Sequence, residues 1–160
     1  MTESQKDLRI VVKNKSEYKE ILKMMNRDVV EAILVTKDNK VLLQKKTVDY
    51  PICPGGYWTF FGGEVEKSEH PIIALNRELK EEIDFKPKNF NQFAIKDYEI
   101  AGRVGKRFIY TVLFDGDLKD ISLTEGAGFA FFEESELEDL KLVPLIKDTI
   151  KEYFKSIKKL

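Results

Sequence analysis

One cysteine, one histidine and one tryptophan stand in 160 residues, and each scarcity removes a class of chemistry. Cys53 alone cannot close an internal disulfide, which fits a reducing cytoplasm rather than a disulfide-stapled secreted chain. With His70 the sole imidazole, a Cys-His-Asp nucleophile set has no local support. Cys53 therefore reads as an inert thiol, and His70, just before Pro71, as a solvated or helix-capping residue. Charge of one sign is lacking too. Lysine and arginine number 27 against 28 acidic residues, and a net −1 gives no electrostatic case for broad nucleic-acid binding. No apolar run nears the ~20 residues of a membrane span, and the polar opening Met1-Thr2-Glu3-Ser4-Gln5-Lys6-Asp7 predicts no signal peptide. Repeats and low-complexity tracts are absent. What is left is a chain sized for one domain with a real core, 42% hydrophobic and 34% charged, as expected of a cytoplasmic enzyme or binding domain.

The most informative stretch runs from Gly63 to Phe85. It opens on a glycine turn, passes Pro71, and continues with helical periodicity. Ile72, Leu75, Leu79 and Ile83 fall on one narrow face at helical spacing, while Glu78, Glu81 and Glu82 gather on another within an arc of roughly 100°. Arg77, four residues before Glu81, is in reach of it. Crowded like charges cost about 0.2–0.5 kcal/mol per pair on an isolated helix, and a divalent cation removes that cost in a cleft. Hard ions such as Mg²⁺ take carboxylate oxygens, with water and substrate phosphates completing the shell.

The spacing in this stretch resembles the signature of the Nudix hydrolases. That signature is Gly, five residues, Glu, seven residues, Arg-Glu, an apolar residue, any residue, Glu-Glu, any residue, Gly and an apolar residue. Here it reads Gly63, Glu69, Arg77-Glu78, Leu79, Glu81-Glu82, Asp84 and Phe85, and it departs only at Asp84, where glycine is expected. A helix-ending residue in the left-handed region is cheap for glycine and tolerable for aspartate, so a positive φ is expected at Asp84. The resemblance implies an α/β/α sandwich with a mixed sheet. It further implies Mg²⁺ (or Mn²⁺) held by the Gly63 carbonyl, Glu78 and Glu82, with Glu81 as ligand or base and Arg77 orienting a glutamate.

The remaining chain supplies the frame. Residues 1–27 read as an N-terminal extension, a strand or arm at Leu8–Val12 and a helix capped by Ser16, packing on a domain of residues 28–160. Val29 to Thr36 is a buried strand; Asp38-Asn39 turns the chain into Val41–Lys46. Lys46, at that strand's end, is a candidate phosphate contact. Asp49 to Gly56 is a loop by its proline and glycine content, leading to Tyr57-Trp58-Thr59-Phe60-Phe61. Alternation places Trp58 and Phe60 on one side and Tyr57 and Phe61 on the other. One set enters the core; the other can border a base-stacking pocket, for which Trp58, Phe60 and Tyr110 are candidates. Two strands, Phe90–Ile100 and Lys106–Phe114, join through residues 101–105, and Phe108, Tyr110, Val112 and Phe114 share a face. Glu125, in a Glu-Gly step before an apolar strand, resembles the further carboxylate that several Nudix enzymes bring to the metal, as ligand or base; a turn glutamate is the alternative. A short acidic helix over 133–140 and a last helix from Pro144, with Ile146, Ile150, Tyr153, Phe154 and Ile157 inward, close the chain. Strands with helices before, within and after them read as α/β or α+β.

The function implied is cleavage of the pyrophosphate linkage in a nucleoside diphosphate derivative, a nucleoside triphosphate or nucleotide sugar, by Mg²⁺ and water. The expected partner is a small nucleotide-type molecule, with no nucleic-acid polymer and no membrane, on a monomer or homodimer. The rival of another class is a nucleotide-binding regulator without turnover, which the complete glutamate set weighs against. An isoprenoid diphosphate isomerase on the same fold would need a cysteine facing a glutamate across an apolar pocket, and Cys53 sits in the wrong surroundings.

Overall fold

The central strand β1 (Val29–Val35) is apolar almost throughout because neighbours cover both its faces and both its edges. The computed structural model describes residues 14–17, 27–47, 55–100, 103–121 and 128–159. Along β1, Val30, Ala32 and Leu34 pack against Ala74, Leu75, Leu79 and Ile83 of helix α1 (Pro71–Ile83). Ile33, of opposite parity, packs against Ile146, Ile150, Tyr153 and Phe154 of helix α2 (Pro144–Ile157). A helix thus lies on each side of one sheet, and two apolar clusters share it. The layers are those of an α/β/α sandwich in the α+β class.

The sheet is mixed. β1 runs parallel to β6 (Arg103–Leu113), and the other pairings are antiparallel. The order is β3 (Trp58–Thr59), β2 (Val41–Lys45), β1, β6, β5 (Asn91–Ile100), with β4 (Phe61–Glu64) on β1 and β7 (Gly128–Phe132) on β2. β2 (Val41–Lys45) returns from β1 through a turn in which Asn39 takes φ 59, and Thr36 receives the Lys40 amide on its hydroxyl. β5 (Asn91–Ile100) and β6 pair from Asn91↔Thr111 to Ile100↔Arg103, so β6 begins three residues earlier than its sequence pattern suggests. Phe108, Tyr110, Val112 and Phe114 do share the α1 face. β7 (Gly128–Phe132) lies along β2. The acidic segment after it forms a 3-10 helix, Glu134–Asp139, with a capping box between Glu133 and Glu136.

A fork in the sheet positions the site. β1 and β2 pair only at Leu34↔Leu42 and Val35↔Val41, then diverge. β3 (Trp58–Thr59) pairs with the far end of β2, and β4 (Phe61–Glu64) pairs with the near end of β1. The chain crosses the fork at Phe60, whose ring joins the α2-side cluster while Phe61 joins the α1-side cluster. Trp58 and Tyr57 both pack with the α2-side cluster, so the expected alternation holds from Trp58 to Phe61 and breaks at Tyr57. The arm and helix expected in the N-terminal extension lie largely outside the described residues, as do Cys53, Glu125 and the tip at residues 101 and 102.

Candidate active site

Helix α1 starts where His70 Nδ1 accepts from the Ile72 amide at 3.2 Å, with Pro71 in the first turn, so His70 is a cap. The helix ends at Asp84 in the left-handed region, φ 51 and ψ 40, as its replacement of glycine requires. Asp84 N donates to Lys80 O and Phe85 N to Leu79 O. Between these ends the apolar stripe is buried and the acidic residues spread from solvent to core.

Arg77 is the hub of the acidic side. Its Nε and Nη2 form a fork on Glu69 at 3.0 and 2.9 Å, its Nη1 reaches Glu78 at 2.8 Å, and Nη2 also donates to the Glu64 carbonyl at 2.9 Å. Glu81 lies farther off, at 3.7 Å from Nη1. The partner expected at helical spacing is therefore the weaker one, and Glu69, eight residues upstream, is the stronger. Glu69 is itself held by the Glu66 amide at 3.0 Å. These contacts hold Arg77 above the ordinary guanidinium range and Glu69 below the ordinary carboxylate range, in each case chiefly through their mutual hydrogen bonds.

The glycine pair accounts for the approach of the helix. A Cβ on Gly63 would stand 2.3–2.6 Å from the Glu78 carboxyl group, and one on Gly62 would stand 2.0 Å from the Val30 carbonyl. At Gly62 the obstacle is backbone, so only glycine lets β4 lie this close to β1; at Gly63 it is a side-chain end, and the missing Cβ is what leaves room for the Glu78 carboxylate.

Glu82 is buried, 3% exposed, at the fork. One oxygen accepts from the Gly62 amide at 2.9 Å and the other from Gln44 Nε2 at 2.8 Å. Gln44 also donates to the Phe60 carbonyl at 3.0 Å, so it ties β2, the crossing residue and α1 together. Burial pushes the Glu82 carboxyl up to about 7, against the opposing pull of Gln44, Gly62 and Lys46. The sequence analysis passes over Gln44, and counts Glu69 as a motif position without giving it a partner. The available signal was a lone amide in the otherwise apolar run Val41-Leu42-Leu43-Gln44, which marks a polar group buried with a partner.

Beside Gly62 and Gly63 a cleft of about 140 Å³ opens between the sheet and the start of α2. Lys46 and Phe60 line it; Trp58 and Tyr110 do not. Trp58 packs edge-on to Phe132 at 4.8 Å, with Lys45 Nζ 5.9 Å from its ring. Tyr110 is 5% exposed in the α1-side cluster, edge-on to Phe90. Tyr110 therefore packs in the core on the opposite side of the sheet from Phe60, while Trp58, on the same side as Phe60, packs on Phe132 outside the cleft lining.

Among the described residues no three carboxylate, imidazole or thiol groups are gathered into a preassembled cation cluster. The donor chemistry nevertheless fits a hard divalent ion. Glu78 lies against Gly63 and Glu82 binds the preceding amide, so two carboxylates, hard oxygen donors, meet at the glycine pair; Gly62 and Gly63 line the cleft, and the two glutamates do not.

The sequence matches the family described as the NUDIX domain over residues 25–155. It is 33% identical to the CTP pyrophosphohydrolase of Escherichia coli K12 over 75 residues, 47% of this chain and 54% of that one. It is 28% identical to the 8-oxo-dGTP diphosphatase of the same organism over 80 residues, 50% of this chain and 60% of that one. The match thus spans little more than half the length of these curated relatives. Among solved structures, the MutT protein of Methanosarcina mazei Go1 superposes with a TM-score of 0.72 at 15% identity, covering 83% of this chain and 96% of that one. The ORF135 protein of E. coli gives 0.64 at 25% identity, covering 81% and 91%. With the family match over most of the chain and the glutamate helix set against its glycine pair, this protein belongs to the Nudix family.

Proposed function

We propose that this protein hydrolyses the pyrophosphate linkage of a nucleoside diphosphate derivative, a nucleoside triphosphate or nucleotide sugar, in the cytoplasm as a monomer or homodimer. The observation that carries this reading is the meeting of Glu78 and Glu82 at Gly62-Gly63, two glycines that also line the cleft. The names of the relatives, which refer to CTP and 8-oxo-dGTP, support the triphosphate class.

Glu78, Glu82 and the Gly63 carbonyl would hold Mg²⁺ or Mn²⁺, joined by Glu81 or Glu125. When bound, such an ion neutralises phosphate oxygens and lowers the pKa of an attacking water. The chain's own groups supply the rest. Arg77 fixes the rotamer of Glu78 through a charged hydrogen bond while Glu69 fixes Arg77. Glu81, largely exposed, can accept a proton from water, the role that Glu125 would otherwise fill. Lys46, on the cleft wall, meets phosphate oxygens. Phe60 gives the same wall an apolar surface.

A second reading, a nucleotide-binding regulator without turnover, draws support from the engagement of both Glu82 oxygens by Gln44 and Gly62. A panel of nucleoside diphosphate derivatives with Mg²⁺, with both products identified, separates the two. Turnover that falls by orders of magnitude in Glu82→Gln, with an unchanged circular dichroism spectrum, supports the hydrolase. Tight calorimetric binding with no phosphate product supports the regulator, and undiminished turnover in Glu82→Gln removes the site.

A further inference from the structure

The chain enters β1 through a crossing that departs from a regular ladder. β1 and β6 run parallel from Val29↔Arg107, and the same register sets Arg27 opposite Gly105. Arg27 N keeps to it, donating to Val104 O at 2.8 Å. The second bond of that pairing would run from Lys106 N to Arg27 O. Instead Lys106 N donates to Asp28 Oδ1 at 2.9 Å, and Arg27 O accepts from the Tyr98 hydroxyl. Glycine at 105 permits the change. A Cβ there would overlap the Arg27 carbonyl oxygen, so that carbonyl has turned out of the ladder onto the face where Tyr98, paired with Gly105, lies.

Asp28 thus takes a place that backbone usually fills, and it faces two ways. While its carboxylate holds β6, its carbonyl accepts the Val65 amide at 2.9 Å, one step beyond the Val29↔Glu64 pair of β1 and β4. Val65 sits inside the segment on which Arg77 rests. The Glu64 carbonyl and the Glu69 carboxylate take the guanidinium, and the Glu66 amide holds Glu69. Arg77 in turn fixes Glu78. A path of hydrogen bonds and short lengths of backbone therefore runs from β6 through Asp28, residues 64–69 and Arg77 to Glu78.

Stability alone is a poor reason for this arrangement. The Lys106 amide is at the exposed rim of the sheet, where water or the Arg27 carbonyl would serve it as well as a carboxylate. Geometry is the better reason. Among the described residues the bond from Val65 N to Asp28 O is the last backbone bond between the sheet and the segment that carries Arg77. Groups that hold a metal's ligands act through orientation, and Arg77 is such a group for Glu78.

We infer that Asp28 is a positioning residue for the metal-binding carboxylates. By holding the entry to β1 against β6 it sets the segment under Arg77, and through Arg77 the orientation of Glu78. This rests on the hydrolase reading above, and within it on divalent-ion binding by Glu78.

The test compares Asp28→Asn, which keeps an Oδ1 acceptor, with Asp28→Ala, which loses it, in the full chain. Circular dichroism verifies folding. Mn²⁺ affinity is read by electron paramagnetic resonance without nucleotide, counting only the site that Glu82→Gln abolishes. Hydrogen exchange in metal-free protein reads the protection of the Val65 amide. Asp28→Ala should raise the Mn²⁺ Kd about three- to tenfold, at the weak end of what such outer partners contribute, with Asp28→Asn within about twofold of wild type. Val65 exchange should quicken in Asp28→Ala alone. Turnover of nucleoside triphosphates in that variant should drop at limiting Mg²⁺ and recover at saturating Mg²⁺, a split that lost stability by itself would not produce. A wild-type Mn²⁺ Kd in Asp28→Ala, or equal losses in the two variants, overturns the inference. Mn²⁺ binding that weakens in Asp28→Ala, with no turnover of any nucleotide, keeps the inference and removes the hydrolase reading. Wild type that binds no Mn²⁺ overturns both. If Asp28→Ala does not fold, Tyr98→Phe, which releases the Arg27 carbonyl at the same crossing, decides: a raised Mn²⁺ Kd supports the inference and an unchanged one overturns it.

Discussion

Gln44 Nε2 donates to Glu82 Oε2 across 2.8 Å, joining a central strand to the last turn of the acidic helix. Both residues are buried, and the bond spans the point where the sheet forks. Because a carboxylate acts as a ligand only in a defined orientation, Gln44 is a positioning residue for Glu82. A hydrogen bond to a charged group is worth about 1.5–3 kcal/mol, equivalent to roughly ten- to hundred-fold in rate if the orientation is needed in the transition state. Gln44→Leu should lower kcat by that factor with KM little changed, and Gln44→Met should not rescue it. Steady-state kinetics with a saturating nucleotide and Mg²⁺ decide the matter; a kcat equal to wild type would reduce Gln44 to a packing residue.

Gly63 and Gly62 separate function from folding. An added Cβ at Gly63 meets the Glu78 carboxyl group, a side-chain end, whereas at Gly62 it meets the Val30 backbone carbonyl. Gly63→Ala should therefore keep the fold, lowering the melting temperature by only a few degrees, and cost at least about a hundredfold in turnover by displacing Glu78. Gly62→Ala should instead damage the sheet and lower soluble yield. Paired melting curves and rates for the two variants test the contrast.

The buried Glu82 predicts a pH dependence in protein freed of metal by chelation. Burial pushes its carboxyl from an ordinary 4.5 up to about 7, so the folded state favours the protonated form. The resulting penalty is absent below the unfolded value, grows as the pH rises through the window, and is complete above about 7. The size is on the order of 3 kcal/mol at most. Asp38, Glu69, Asp115 and Glu138 are shifted downward, so their stabilisation is lost only at pH values below that window. Urea midpoints should fall between about pH 4.5 and 7 in wild type and stay level in Glu82→Gln. A wild-type midpoint that is flat or rises across the window contradicts the assignment.

Asp84 carries a backbone cost that glycine would not. At φ 51 it holds a conformation disfavoured for residues with a Cβ, and its ion pair with Lys80 is largely exposed and worth little. Asp84→Gly should raise stability by about 0.5–1 kcal/mol, seen as a higher urea midpoint at unchanged slope, with turnover unaltered. A loss of stability would show that the Lys80 contact outweighs the strain.

Some of this protein was determined locally and could be read from order alone. The apolar period of α1, its proline start, the left-handed stop at Asp84 and the nearly unbroken apolar run of β1 each follow from spacing and backbone sterics. Their neighbours in sequence are the atoms that enforce them. The acidic motif was equally legible because its members lie on one helix and the turn before it. Tertiary structure alone decided which glutamate is solvated and which is buried, that Arg77 grips Glu69 more closely than Glu81, and that Tyr110 belongs to the core rather than the cleft. It also brought Gln44 to Glu82 and Arg107 to Glu31. Those contacts join residues separated by 38 and 76 positions, and no periodicity carries that information. Strand pairing and the fork in the sheet, which depend on the whole chain folding together, set these distances.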